Sequence, residues 1–132
     1  MSACLLDTNT VILFFKGVPT VVERWASVPP ASMHISSISL YELIVGATTS
    51  SKPEKRRSDL KLVLRYIRVL PFAEEEADQA ARTRAALQTG GSLIGPLDLL
   101  IASTALVHDL TLVTHNLKEF RRVPKLRCDD WC

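Results

Sequence analysis

The sequence predicts an α/β fold: a short, mostly parallel central sheet of about four to five strands, covered by helices on both faces. Three observations carry this. Short apolar runs at residues 3–6, 33–36, 69–70, 110–114 and 126–128 alternate with longer segments of helical period. The first of them is apolar at successive positions rather than at every second one, as in strands covered on both faces. The 132 residues, 47% hydrophobic and 23% charged, suffice for one domain that buries about two-thirds of its unfolded surface. No repeat, low-complexity tract or shift in composition marks a second domain, so residues 1–132 are read as one.

The elements follow in order. Residues 3–6 form the first strand, and Asp7 stands where it ends. Thr8 is a good N-cap for the apolar run Val11-Ile12-Leu13-Phe14-Phe15. Ligands of open α/β sheets bind outside the carboxyl ends of the strands, so Asp7 lies where such folds put chemistry. A role limited to helix capping is the structural alternative. Gly17-Val18-Pro19 is a break, and residues 20–28 read as a short helix ended by Pro29-Pro30. After the strand at 33–36, residues 38–48 carry Leu40, Leu43, Ile44 and Ala47 on one helical face. Glu42 lies roughly opposite that face, between Ile38 and Val45.

Thr49-Ser50-Ser51-Lys52-Pro53 is a polar linker. The helix expected over 54–68 buries Leu60, Val63, Leu64 and Ile67. Arg57, Lys61, Arg65 and Arg68 run beside that face with no acid among them. Such a stripe is either a rim of snorkelling side chains or an edge that tracks nucleic-acid phosphates. Glu74, Glu75, Glu76 and Asp78 crowd the first turns of an Ala-rich helix at 72–88, where the helix dipole favours them, and they are assigned no chemistry. Pro96 suits the first position of the next helix, whose residues 99–107 are apolar or small almost all round, as in a central, covered helix. Asp98 in its first turn is favoured by the dipole. A carboxylate leading into so apolar a helix is also partly buried, and a buried charge needs a partner or a metal. His115-Asn116 follow the strand at 110–114, and a short helix at 117–121 contains Glu119. The strand at 126–128 and a tail, Asp129-Asp130-Trp131-Cys132, come last.

Composition excludes several classes. The amino terminus lacks a basic n-region and Asp7 interrupts its apolar stretch, so no signal peptide is expected. No apolar run approaches the roughly 20 residues of a membrane span. Cys4, Cys128 and Cys132 are odd in number and not in metal-ligand spacing, and His34, His108 and His115 are scattered. A reduced, cytoplasmic protein without a His/Cys metal site is the simplest account. The net charge of +2 says little by itself. Gathering Asp7, Glu42, Asp98 and Glu119 in one pocket leaves ten acids against 16 lysines and arginines, a net of +6 elsewhere. A basic exterior around an acidic hole suits a metal-dependent enzyme acting on a polyanion.

Asp7, Glu42 and Asp98 come from three elements, and Asn116 or Glu119 from a fourth. A parallel sheet with right-handed crossovers brings strand carboxyl ends to one edge. Carboxylates gathered there repel one another unless divalent cations sit between them, and hard oxygen ligands suit Mg²⁺ or Mn²⁺.

Four segments in order resemble those of PIN domains, specifically the VapC-type toxins of bacterial toxin–antitoxin pairs. They are Leu5-Leu6-Asp7-Thr8-Asn9, the stretch from Ile35 to Leu43 that contains Tyr41-Glu42, the stretch from Ile94 to Ala102 that contains Gly95-Pro96-Leu97-Asp98, and Val113-Thr114-His115-Asn116-Leu117-Lys118-Glu119-Phe120. The resemblance spans nearly the whole chain. It implies a PIN-like fold and a Mg²⁺- or Mn²⁺-dependent endoribonuclease, usually a homodimer, inhibited by a VapB-like antitoxin. The Ile94-Gly95-Pro96 and Asn116-x-x-Glu119-Phe120 segments resemble those of members that cut initiator tRNA in the anticodon loop. Carried over residue by residue, Asp7 and Asp98 would hold the metal, and Glu42 would bind it or orient the water. Many PIN domains have a fourth acid where this chain has Asn116, so Asn116, as a neutral ligand, or Glu119, as the missing charge, would complete the site. Thr8, Asn9 and Thr114 are expected to hydrogen-bond the carboxylates and orient them. Arg57, Lys61 and Arg65 are the candidate RNA contacts.

Two other readings compete. Asp7-Thr8-Asn9-Thr10-Val11 is close to the Asp-x-Asp-x-Thr/Val motif of haloacid-dehalogenase-like phosphatases, but the second Asp, their general acid, is Asn9 here. The other is a catalytically inactive acidic pocket that receives an Arg of a basic partner peptide.

Overall fold

A computed structural model describes residues 3–132 of the chain. Strands β1 (Cys4–Leu6), β2 (Met33–Ser36), β3 (Arg68–Leu70), β4 (Thr111–Val113) and β5 (Cys128–Asp129) form a five-stranded sheet in the order β3-β2-β1-β4-β5. Every neighbouring pair is parallel. Among the described residues the α-helices are α1 (Thr8–Phe15), α2 (Pro19–Ser27), α3 (Ser37–Thr48), α4 (Pro53–Leu64), α5 (Glu74–Thr89), α6 (Pro96–Val107) and α7 (Leu117–Phe120). None is long and apolar enough to cross a membrane.

The period of two sorts the strand side chains between two cores. Leu6, Ile35 and Val113 pack with Val11 of α1, Val21 of α2 and Leu60 of α4 on one face. Leu5 and Leu112 pack with Leu87 of α5 and Ile101, Ala102 and Ala105 of α6 on the other. Leu5, Leu6, Ile35 and Leu112 have no exposed surface. Each contributes about 2 kcal/mol of burial, so Leu112→Ala would open a cavity between sheet and α6. Both faces are covered, which is why these short strands read as continuous apolar runs.

The strand order also positions the site. The chain winds outward from β1 through β2 to β3, then returns to place β4 on the other flank of β1. The winding reverses between β1 and β4, so their carboxyl ends form a topological switch point. Asp7 follows β1 there and Thr114 follows β4, with the Asp7 N–H donating to the Val113 carbonyl at 3.0 Å.

Several expectations are corrected. The N-cap of α1 is Asp7 rather than Thr8: its carboxylate accepts the Thr10 N–H at 2.8 Å, because Thr8 already has helical backbone. The helix expected to run to Arg68 ends at Leu64, with Arg65 as its C-cap. Pairing of β3 with β2, His34 opposite Arg68, draws the following residues into the sheet. Ile67 is buried as expected, but from the turn before β3. Arg57, Lys61 and Arg65 are exposed at α4 and its C-cap, whereas Arg68 sits on the edge strand, so the four do not share one helix. The final strand extends to Asp129, and Trp131 of the expected tail is buried in the core, 4% exposed. Its indole meets Trp25 edge-on, ring centroids 6.5 Å apart, under the Arg24 guanidinium.

Candidate active site

Asp7 is 4% exposed. One carboxylate oxygen accepts the Thr10 N–H and the Thr114 hydroxyl also stabilises its charge, while the Thr10 hydroxyl donates to the Val113 carbonyl at 3.0 Å. Burial nevertheless outweighs these bonds and raises its pKa, and the negative charge of Glu42 adds to the rise. Glu42 projects from α3 toward α1, where its Oε1 accepts the Thr8 hydroxyl at 2.6 Å. The helix period explains this: Ser39, Leu43 and Ala47 take the buried stripe, leaving Glu42 on the flank that faces Thr8.

Asp98 stands in the first turn of α6, whose N-cap is Gly95, and no side chain caps this helix. Its pKa is pushed up to about 6, first by burial, then by the charges of Glu119, Glu42 and Asp7. Glu119 reaches back from α7. Its Oε1 accepts the Gly95 N–H at 2.8 Å, and its Oε2 accepts the Asn116 side-chain amide at 2.6 Å. A Cβ at Gly95 would lie 3.4 Å from Asp98 Oδ2 and 3.7 Å from Glu119 Oε1, in ordinary van der Waals contact with both.

The structure therefore brings Asp7, Glu42, Asp98 and Glu119 to one edge, each acting on another's charge. Of the two candidates for the fourth position, Glu119 carries the charge and Asn116 holds Glu119 in place. Thr8 and Thr114 hydrogen-bond Glu42 and Asp7 respectively. Thr114 Oγ1 further accepts the Asn116 N–H at 3.0 Å, tying the turn after β4 to the site. Asn9 is exposed, and among the described residues it makes no hydrogen bond with the carboxylates. A helix turns about 100° per residue, so with Thr8 facing Glu42 the next side chain points aside. From sequence, Thr10 has no assigned role at the site, and Gly95 is only part of the Gly-Pro step before Asp98.

Among the described residues no Lys, Arg or His forms an ion pair with any of the four acids. No three of them bring carboxylate oxygens within 4.8 Å of one another, the spread expected of like charges. Unpaired, partly buried carboxylates, with the pKa values of Asp7 and Asp98 raised, form an all-oxygen donor set suited to a hard divalent cation.

Known proteins share this fold. The sequence matches the PIN domain family over residues 4–126. The tRNA(fMet)-specific endonuclease VapC of Salmonella typhimurium is 38% identical over 128 residues, 97% of each chain. The crystal structure of DNA-bound VapBC from Salmonella typhimurium superposes with a TM-score of 0.93 at 38% identity, covering 100% of both chains. That of VapBC2 from Rickettsia felis bound to a promoter DNA fragment gives 0.92 at 32% identity, over 98% of this chain and 99% of the other. The phosphatase reading finds no counterpart among these relatives. PIN-domain nucleases use divalent metal ions, in keeping with the unpaired carboxylates at the switch point. On the match over residues 4–126 and the agreement of the whole fold, the chain belongs to the PIN domain family, among its VapC members.

Proposed function

We propose that the chain is the toxin of a toxin–antitoxin pair, a cytoplasmic Mg²⁺- or Mn²⁺-dependent endoribonuclease that cuts initiator tRNA in its anticodon loop. The observation that carries this reading is the set of four carboxylates at the switch point with no basic partner. Asp7 and Asp98 would hold the cation, with Glu42 and Glu119 beside them. When bound, the cation lowers the pKa of water and offsets charge on the phosphate oxygens. The chain's own groups do the positioning. The Thr10 N–H and Thr114 hydroxyl hold Asp7, and the Thr8 hydroxyl holds one oxygen of Glu42, leaving the other to orient a water. The Gly95 N–H and Asn116 amide hold Glu119. No Ser, Cys or His stands among the four acids, so direct hydrolysis is favoured over a covalent intermediate.

Arg57, Lys61 and Arg65 are proposed to contact RNA phosphates. Replacing them by Gln should flatten the salt dependence of tRNA binding by about one log-log unit per lost contact, and an unchanged slope would leave them as a solvated rim. The partner is a VapB-like antitoxin. Its support is an apolar cleft of ≈ 260 Å³ beside Glu42, walled by Ile12, Phe15, Leu43 and Leu60, from which an antitoxin Arg could reach the acids. The toxin itself is proposed to be a homodimer. The test incubates the purified chain with labelled initiator tRNA in Mg²⁺, in Mn²⁺ and in excess EDTA. Cleavage within the anticodon loop with either ion, and none in EDTA, is expected. Cleavage that persists in chelator would sink the metal mechanism, and phosphate release from a small phosphomonoester without RNA cleavage would restore the phosphatase reading.

A further inference from the structure

The parallel pairing of β4 and β5 runs past the ends of the two strands. Val113 lies opposite Asp129, and the Thr114 N–H donates to the Asp129 carbonyl at 2.8 Å. The register thus carries His115 alongside Asp130, with His115 Nδ1 3.0 Å from Asp130 Oδ2. Trp131 is anchored in the core, so its neighbours Asp130 and Cys132 are left at the surface side of the chain. The Cys132 N–H donates to Asp130 Oδ1 at 2.9 Å, which folds the end of the described chain back toward His115. One ring nitrogen, one carboxylate oxygen and one sulfur from His115, Asp130 and Cys132 all lie within 4.8 Å of one another. Among the described residues this is the group of metal-ligating side chains that comes together so closely.

We propose that His115, Asp130 and Cys132, none of them one of the four clustered acids, form a binding site for a borderline-soft divalent cation, Zn²⁺ foremost. Donor chemistry selects the ion: imidazole and thiolate suit Zn²⁺, whereas Mg²⁺ and Mn²⁺ prefer oxygen. Tetrahedral Zn²⁺ sets its ligand atoms about 3.5 Å apart. Two of the three atoms are already nearer than that, and the sulfur needs a shift of about 1 Å, within reach of an exposed side chain. Three protein ligands leave a fourth position for water. A bare His115–Asp130 surface pair gives the sulfur no role and little stability. Burial and then the Asp130 carboxylate push the Cys132 thiol up. A dication shared by sulfur and carboxylate reverses that balance, and the thiol proton is released on binding. His115 is flanked by Thr114 and Asn116, which hold Asp7 and Glu119, so such an ion would tie the chain end to the turn that carries both.

Co²⁺ is the probe, added to the full chain with Mg²⁺ in excess to saturate the carboxylates. A single Co²⁺ per chain is expected, with thiolate-to-Co²⁺ charge-transfer absorption that Zn²⁺ bleaches. Cys132→Ser should abolish the band and weaken Zn²⁺ binding at least about 10-fold, the loss that outer partners of a metal site alone can cause. His115→Gln should also weaken it. Cys128→Ser and Asp98→Asn should keep the band, and far-ultraviolet circular dichroism checks that each variant is folded. The proposal is overturned by a wild-type protein without the band, by a band that survives Cys132→Ser, or by one Co²⁺ per two chains appearing only as copies associate.

Discussion

Asp7 and Glu76 are both buried carboxylates at the start of a helix, 4% and 5% exposed. Asp7 accepts the Thr10 N–H at 2.8 Å at the head of α1, and Glu76 accepts the Ala73 N–H at 2.9 Å at the head of α5. Burial works upward on both pKa values, yet they move in opposite directions. That of Glu76 falls because its backbone donors and the His108 imidazole, 3.1 Å away, outweigh burial. That of Asp7 rises because burial exceeds its donors and its charged neighbour is Glu42. Asp7 is itself the N-cap of α1, whereas Glu76 lies at the third position of α5 and reaches back to its N-cap; burial leads at Asp7 with Glu42 adding to it, while backbone donors and then His108 prevail at Glu76. A buried acid facing a basic group serves the fold, while one facing other acids calls for a cation.

The largest effect expected of this contrast is on cleavage. Asp98→Asn keeps the side chain's size and removes one of four mutually repelling charges, so it should cut RNA cleavage by at least about 10³-fold. Metal-free stability should stay unchanged or rise by about 1 kcal/mol at pH 7, a figure discounted for the part of Asp98 that water screens. Cleavage of tRNA beside denaturant melts in EDTA reads both quantities. A variant that cuts normally, or that is inactive because it unfolds, would remove Asp98 from the site.

Glu76→Gln inverts the pattern. The amide keeps an acceptor for the Ala73 N–H but loses the charge that faces His108, so stability should fall by about 1–2 kcal/mol with cleavage unchanged. A stable variant with impaired cleavage would erase the distinction between the two carboxylates.

How far the sequence alone discloses these regions depends on how local the cause is. Asp7 is legible because a carboxylate that closes a buried apolar run falls at a strand's carboxyl end, where such sheets bind ligands. Asp98 is legible because it leads into the apolar stretch of α6. The strand count and the two covered faces follow from short apolar runs between helical segments. What escapes is set by pairing across the sheet. Arg68 leaves the helix because β3 must meet β2. Trp131 enters the core because β5 extends to Asp129. The tie between Glu119 and α6 runs through the Gly95 N–H, 24 residues away in sequence. His115 and Cys132 look scattered by spacing, and the β4–β5 register makes them neighbours.

The smallest effect is the pH dependence of metal-free stability, and it tests the contrast without any substrate. Asp98 titrates near 6 in the folded chain and at 3.8 when unperturbed. Between those values the folded form holds a proton that the unfolded chain has released, so stability falls as pH rises through this window. The raised pKa of Asp7 acts with the same sign. Glu76 acts oppositely: its contribution is present above its ordinary 4.5 and is lost as pH falls through its lowered folded value. In EDTA the protein should therefore be more stable at pH 5 than at pH 7, by about 1 kcal/mol after allowance for screening at Asp98, and lose stability again below about pH 4. Asp98→Asn should flatten the limb between pH 5 and 7 and leave the acid limb alone, while Glu76→Gln should do the reverse. Saturating Mg²⁺ should remove the neutral limb, because a cation favours the ionised acids. Denaturant midpoints across this range decide the matter, and a neutral limb that survives Asp98→Asn would assign it to Asp7 or to a group outside the carboxylate cluster.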